Sequence, residues 1–240
     1  MYQCIFFLLL SSLSSRLLAG GAVSTQNLSS IEKKEIQEDI RDMHKYAQEG
    51  DGPALAAHLV FFPSTDINAP DKNGDTVLIT AIKKSYPGII NFMFQQNDLN
   101  VNIRNKNGET ALFNAAAANN TNVAKHLLES YPVNPSVADN KGKTPLMVAA
   151  ENDNDAIVNL LLKYGADIAL KDLQGKSALD YARGKSKTIL ENYQRKLENI
   201  YRKHFQEVYE KQGVNVPTEI ENLMVSYSLP ASIPEKIAKK

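Results

Sequence analysis

Asp139-Asn140-Lys141-Gly142-Lys143-Thr144-Pro145-Leu146-Met147-Val148-Ala149-Ala150 holds a turn signal, a helix start and an apolar anchor in one run. Asp-x-x-Gly is a tight-turn signature, in which glycine supplies the positive φ that such a turn commonly requires. Thr144, two residues after Gly142, can accept a hydrogen bond from an orphan N–H at a helix start. Pro145 suits the first helical position, where its missing N–H costs nothing. Leu146 is then the buried anchor of a short helix, and Ala149, three residues on, shares its face and lets a neighbouring helix approach closely.

The same series returns at Asp71–Ala81, Asn105–Ala115 and Asp172–Ala182. The turn glycines stand at 74, 108, 142 and 175, spaced 34, 34 and 33 residues apart. Thr76, Thr110, Thr144 and Ser177 keep that register, as do Leu78, Leu112, Leu146 and Leu179, and Ala81, Ala115, Ala149 and Ala182 complete it. A second apolar pattern follows each of the first three helices, at Ile89-Ile90-x-Phe92-Met93, at Val123, Leu127 and Leu128, and at Ile157-Val158-x-Leu160-Leu161-Leu162. Each unit therefore reads as turn, short helix, turn, second helix. One such unit cannot cover its own apolar face, so neighbours must stack.

Thr144-Pro145-Leu146-Met147-Val148-Ala149-Ala150 resembles the Thr-Pro-Leu-His-x-Ala-Ala core of the ankyrin repeat family, and Lys163-Tyr164-Gly165-Ala166-Asp167-Ile168 is similar to that family's inter-repeat Gly-Ala-Asp-Val. Ser177-Ala178-Leu179-Asp180-Tyr181-Ala182 resembles a closing repeat, and the clear match covers residues 71–205. The resemblance implies an all-α solenoid of stacked helix-turn-helix units with short β-turn loops and a C-terminal capping helix. The family's His is replaced by Ile79, Phe113, Met147 and Asp180, and its Pro survives only at 145. Loss of that His removes a side-chain link between turns, so somewhat weaker turns are expected on the same fold.

This divides the chain into a signal peptide (1–22), a linker and helix start (23–35), a degenerate N-terminal repeat (36–70), repeats at 71–104, 105–138 and 139–171, a terminal repeat with capping helix (172–212), and a tail (213–240). In the degenerate unit Ile36, Ile40, Met43 and Ala47 have helical spacing, and Ser29-x-x-Glu32 can form a capping box. Ile189, Tyr193, Leu197, Ile200, His204 and Val208 recur every three or four residues, the pattern of a long amphipathic cap. In the tail, Ile220, Leu223 and Met224 can dock a short helix.

The N-terminal apolar run Cys4–Leu10, leading into small residues at Ala19-Gly20-Gly21-Ala22, has the layout of a secretory signal. Cleavage falls after Ala22 or after Gly21. The run is far shorter than the roughly 18–20 residues a membrane-spanning helix needs, so no stable membrane anchor is expected after cleavage. The expected compartment is periplasmic or extracellular.

Composition excludes more than it names. Lys+Arg and Asp+Glu both number 27, so bulk charge does not point to nucleic acid. One cysteine, Cys4, permits neither a disulfide framework nor a cysteine-ligated zinc site. Gly184-Lys185-Ser186 resembles the end of a phosphate loop, but Leu179 stands where that motif needs glycine. His44, His58, His126 and His204 lack metal spacing, and no Gly-x-Ser-x-Gly elbow occurs. Asn119-Asn120-Thr121 has the form of a glycosylation sequon, and Asn119 reads as a polar break between two helices. No catalytic residue, cofactor or metal is expected.

What remains is a surface. The resemblance implies that a protein partner is held by the positions flanking the turn glycine and ending the first helix. These are Lys72, Asn73, Asp75, Lys83 and Lys84, then Lys106, Asn107 and Glu109, then Lys141, Lys143, Glu151 and Asn152, then Gln174 and Lys176, with Tyr86 and Tyr181 as nearby aromatics. The lysines meet an acidic partner or are ordinary solvated side chains. The reading is an exported, monomeric, non-enzymatic protein that binds another protein. The alternatives are an enzyme or toxin acting through residues 186–240, or an assembly or protection factor for one enzyme.

Overall fold

The computed structural model describes residues 30–210. The leader, the Ser29 capping box and the tail at 213–240 lie outside the described residues. The chain forms two compact units, 1–39 and 40–240. Of the first, only residues 30–39 are described; they are the opening half of α1 (Ser30–Glu49), and Ile36 is 41% exposed rather than part of a core face.

The second unit continues α1 from Ile40 and adds α2 (Gly52–Phe61), α3 (Val77–Lys84), α4 (Pro87–Phe94), α5 (Ala111–Ala117), α6 (Thr121–Ser130), α7 (Pro145–Glu151), α8 (Asp155–Lys163), α9 (Ala178–Tyr181) and α10 (Gly184–Glu210). Among the described residues there is no strand. First helices stack in the order α3, α5, α7, α9, and second helices pair as α2 with α4, α6 with α8, and α8 with α10.

The two helix classes differ in burial for a reason visible in their residues. Six consecutive residues of α3 (Val77–Ile82), of α5 (Ala111–Ala116) and of α7 (Pro145–Ala150) are buried, because each first helix has packed neighbours on several sides. A helix apolar all round belongs in an interior. Second helices bury one stripe, such as Val123, Ala124, Leu127 and Leu128 in α6 or Ile157, Val158, Leu161 and Leu162 in α8. Each fully buried Leu, such as Leu127, Leu146 or Leu161, contributes roughly 1.5–3 kcal/mol of transfer free energy.

The helix starts are capped where Thr occupies the register. Thr76, Thr110 and Thr144 hydroxyls accept the N–H of Ile79, Phe113 and Met147 at 3.2–3.3 Å. Ser177 departs from this: its hydroxyl and its N–H both donate to the Asp180 carboxylate at 2.7 Å. The last unit is also the thinnest, since α9 has four residues, Leu179 is only half-buried, and Ala182 lies at the helix end rather than on a buried face.

The helix–helix turns share a device not recognised from the sequence. Ser85, Asn119 and Asp153, each 34 residues from the next, have φ of 58°, 52° and 54°. The following N–H groups, of Tyr86, Asn120 and Asn154, reach back to Ala81, Ala115 and Ala149 at 2.9 Å. This is the six-to-one closure of a left-handed helix end, at positions where glycine carries no Cβ penalty.

In the degenerate unit Met43, Ala47 and Leu55 are fully buried, and His44 Nε2–H donates to the Ala69 carbonyl at 2.9 Å. At the far end Ile189, Tyr193 and Leu197 of α10 pack against the core, Ile200 is half-buried and His204 is exposed. His204 therefore does not lie on a buried face, and the side chain of Val208 lies outside the described residues.

Candidate functional hairpin-tip ridge

Four hairpin turns carry the surface singled out above, and their first residue builds them. Asp71 Oδ1 accepts the N–H groups of Asn73 and Asp75, and Asn105, Asp139 and Asp172 repeat the same pair of bonds at 2.7–3.0 Å. Main-chain bonds from Asp71 to Asp75, Asn105 to Glu109, Asp139 to Lys143 and Asp172 to Lys176 close each turn. These side-chain acceptors hold the turns that lack the family's His. The Asp or Asn three residues before each glycine was the signal for them.

The turns are joined to one another. Lys106 N–H donates to Asn73 O at 3.0 Å, Asn140 N–H to Asn107 O at 2.8 Å, and Leu173 N–H to Lys141 O at 3.0 Å. Glycine is required for this approach: at Gly74, with φ +79°, a Cβ would lie 2.6 Å from the Lys106 nitrogen. The four tips thus form one continuous ridge.

The sixteen residues expected at the surface separate into two classes. Lys72, Asn73, Lys83, Lys84, Lys106, Asn107, Lys141, Asn152, Gln174 and Lys176 are exposed. The rest, together with the Lys83 ammonium, are drawn into contacts between or within repeats. Lys83 Nζ donates to both Asp75 oxygens at 2.9 and 3.0 Å and lies 3.1 Å from Glu109. Asn105 Nδ2 bridges the same two carboxylates at 2.7 and 2.8 Å. Asp75 is 6% exposed, so its charge is balanced within this cluster rather than by water.

Burial alone would lower the Lys83 ammonium, but the bonds to Asp75 and Glu109 outweigh it and hold it above its usual range. Burial alone would raise Glu109, but bonds from Asn105 and Lys83 outweigh it and hold it below the ordinary carboxylate range.

The same device recurs two repeats on with its sign reversed. Where Asp75 and Glu109 stand in the first two turns, Lys143 and Lys176 stand in the last two, and Glu151 occupies the position of Lys83. Lys143 Nζ bonds the Glu151 carboxylate and lies 4.4 Å from the Tyr181 ring centroid; Lys176 lies 5.3 Å from the same ring. Tyr181 donates its hydroxyl to Asp172 at 2.5 Å, a bond that pushes its pKa up to about 12 and holds Asp172 low.

Tyr86 is half-buried, with its ring against Gly50, where a Cβ would sit 2.9 Å from it, and its hydroxyl donates to Gln48 O at 3.4 Å. Both aromatic residues are thus engaged by the fold, and neither is an open platform.

Among the described residues other chemistry finds no constellation. Among the described residues no group of three or more His, Cys, Asp or Glu is placed to hold a metal ion. The Gly184-Lys185-Ser186 segment opens α10, and the Asp153 carboxylate, whose Oδ1 accepts the Ser186 N–H at 2.9 Å, sits over it. Ser186 Oγ donates to Asp155 at 2.9 Å. Protein acids therefore occupy that helix start. Among the described residues no helix is long and apolar enough to cross a membrane.

Compared with protein families, the chain matches the model for ankyrin repeats (three copies) over residues 43–137, 85–172 and 131–191. No curated protein matches it.

Proposed function

Because the chain belongs to the ankyrin-repeat family, whose repeats mediate protein–protein interaction, we propose that it is a non-enzymatic binding protein. It holds another protein against its hairpin tips and the adjoining ends of its first helices. The observation that carries this reading is the ridge: four turns cross-linked by main-chain bonds, with their outermost side chains exposed. A rigid, preformed surface lowers the ordering cost of association. Nucleic acid does not fit the balanced charge, and a monomer suffices to present the ridge.

Export to the periplasm or the extracellular space completes the proposal, and its support is the apolar run at residues 4–10 followed by Ala19–Ala22. Affinity capture from the native compartment, with N-terminal sequencing of the captured bait, tests both parts. The mature chain begins near Val23 and one partner is retained reproducibly; an intact Met1 in the cytosol would contradict export. Retention of that partner both by a variant altered across the exposed tips and by one altered at the ends of the first helices would contradict the assigned surface.

A further inference from the structure

Resting on that reading of the ridge, we propose that its ligand is an extended acidic segment of a protein, with carboxylates about three residues apart and an apolar side chain at the end that meets the fourth repeat. The lysines of the surface are not equivalent. Lys83 and Lys143 are bound to carboxylates of the fold, whereas Lys72, Lys106 and Lys141 are exposed and pair with no acid among the described residues. The nearby acids do not cancel this row outright. Asp71, Asp139 and Asp172 are half-buried and turned onto their own turn N–H groups, and Asp75 and Glu109 face Lys83. The outward charges along the crest are ammonium groups.

The rungs between turns set the stride. Lys106 is bonded to the tip before it, and Lys141 to the tip after it, so the cations advance one per repeat. Packed helices lie about 8–10 Å apart, and an extended chain advances about 3.3 Å per residue, so one repeat spans about three residues of a ligand.

The row also has a direction. At the crest position held by Lys72, Lys106 and Asn140, the fourth turn carries Leu173, which is 80% exposed. An apolar side chain held there beside Lys141 gives the ligand an end as well as a charge. A single-stranded nucleic acid would find the cations but no stacking platform, since the ridge's own aromatic, Tyr181, is held by Asp172 beneath the crest.

The test uses the full chain and synthetic peptides in a binding titration. One peptide carries Glu at every third position, separated by Ser and Gly, with Leu at one end; it is made in both directions. A second has the same composition with its Glu contiguous, and the third probe is a single-stranded oligonucleotide. The periodic peptide in one direction binds tightest, and replacing Lys72, Lys106 and Lys141 together by Gln weakens it about tenfold, at two- to threefold per exposed pair. Leu173→Ser weakens that direction and not the other.

Equal binding of periodic and contiguous peptides, an unaffected triple variant, or tighter binding of the oligonucleotide would each overturn the proposal. The triple variant and a Lys84→Glu/Asn152→Glu variant are also titrated against the captured partner. If only the latter loses it, the acidic ligand is wrong and the binding surface stands. If neither loses it, the surface itself is wrong.

Discussion

The ammonium of Lys83 lies 2.9 Å from the carboxylate of Asp75, the residue that follows the turn glycine of its own repeat, and reaches Glu109 of the next repeat at 3.1 Å. One lysine, placed at the end of a first helix, therefore fastens two turns. This commits its ammonium to the fold while the side chain stays partly exposed, and makes it part of what keeps adjacent repeats in register.

Lys83→Met leaves Asp75 and Glu109 facing each other without their cation. Because the lysine is partly exposed, solvent screening limits the cost to about 1–2 kcal/mol at neutral pH, between the values for surface and buried pairs. Glu109 has its pKa depressed in the folded chain, so its contribution is present above the unfolded value of about 4.3 and is lost as pH falls through the lower folded value. The gap between wild type and Lys83→Met, read from urea midpoints, narrows as pH falls from 6 to 3. A gap that stays constant would show that Lys83 acts through packing alone.

Gly74→Ala and Gly175→Ala separate two demands on a turn glycine. Both have positive φ, +79° and +76°, but a Cβ at 74 meets the Lys106 nitrogen at 2.6 Å whereas a Cβ at 175 meets nothing within 4 Å. The substitution at 175 costs about 1–2 kcal/mol of left-handed strain; the one at 74 costs that strain and loosens the rung to Lys106 as well. Thermal denaturation orders the two variants, and an equal loss at both sites would contradict a stacked ridge.

Ser85 has φ 58° and has no side-chain hydrogen bond among the described residues. Ser85→Gly removes the Cβ penalty of that conformation and stabilises the chain, by up to about 1 kcal/mol after the entropy that glycine gains when unfolded. The denaturant midpoint rises with an unchanged slope. A lower midpoint would show that the turn is not left-handed in solution.

Asp153 combines a left-handed backbone with an acceptor for the α10 start. Asp153→Gly keeps the backbone relaxed and deletes only the carboxylate, so its cost of about 1 kcal/mol reports the cap. Amide exchange over residues 184–190 accelerates in this variant while that of α5 does not. Uniform acceleration would contradict a local anchor.

The repeat was legible because its signals are local. Gly142, Thr144, Pro145 and Leu146 act on turns, caps and faces within a few residues of themselves, and their 34-residue recurrence implies stacking without any knowledge of contacts. The partition of the surface was not legible. Lys72 and Lys83 are both lysines near a turn, and only the stack shows that the second meets Glu109, 26 positions away, while the first meets no acid among the described residues. The contacts of Tyr86 and Tyr181 were not legible either: Gly50 of the preceding unit lies against the first ring, and Asp172 of the same repeat takes the hydroxyl of the second. Ser177 kept its register in the sequence but donates to Asp180 instead of accepting, because an acid stands three residues on.

The most direct measurement is hydrogen exchange of the full chain, free and saturated with its captured partner, resolved along the sequence. Exchange slows in the complex over the four tips, residues 72–75, 106–109, 140–143 and 173–176, with the second helices α4, α6 and α8 unchanged. Protection confined to those second helices, with the tips exchanging as in the free protein, would contradict binding at the ridge.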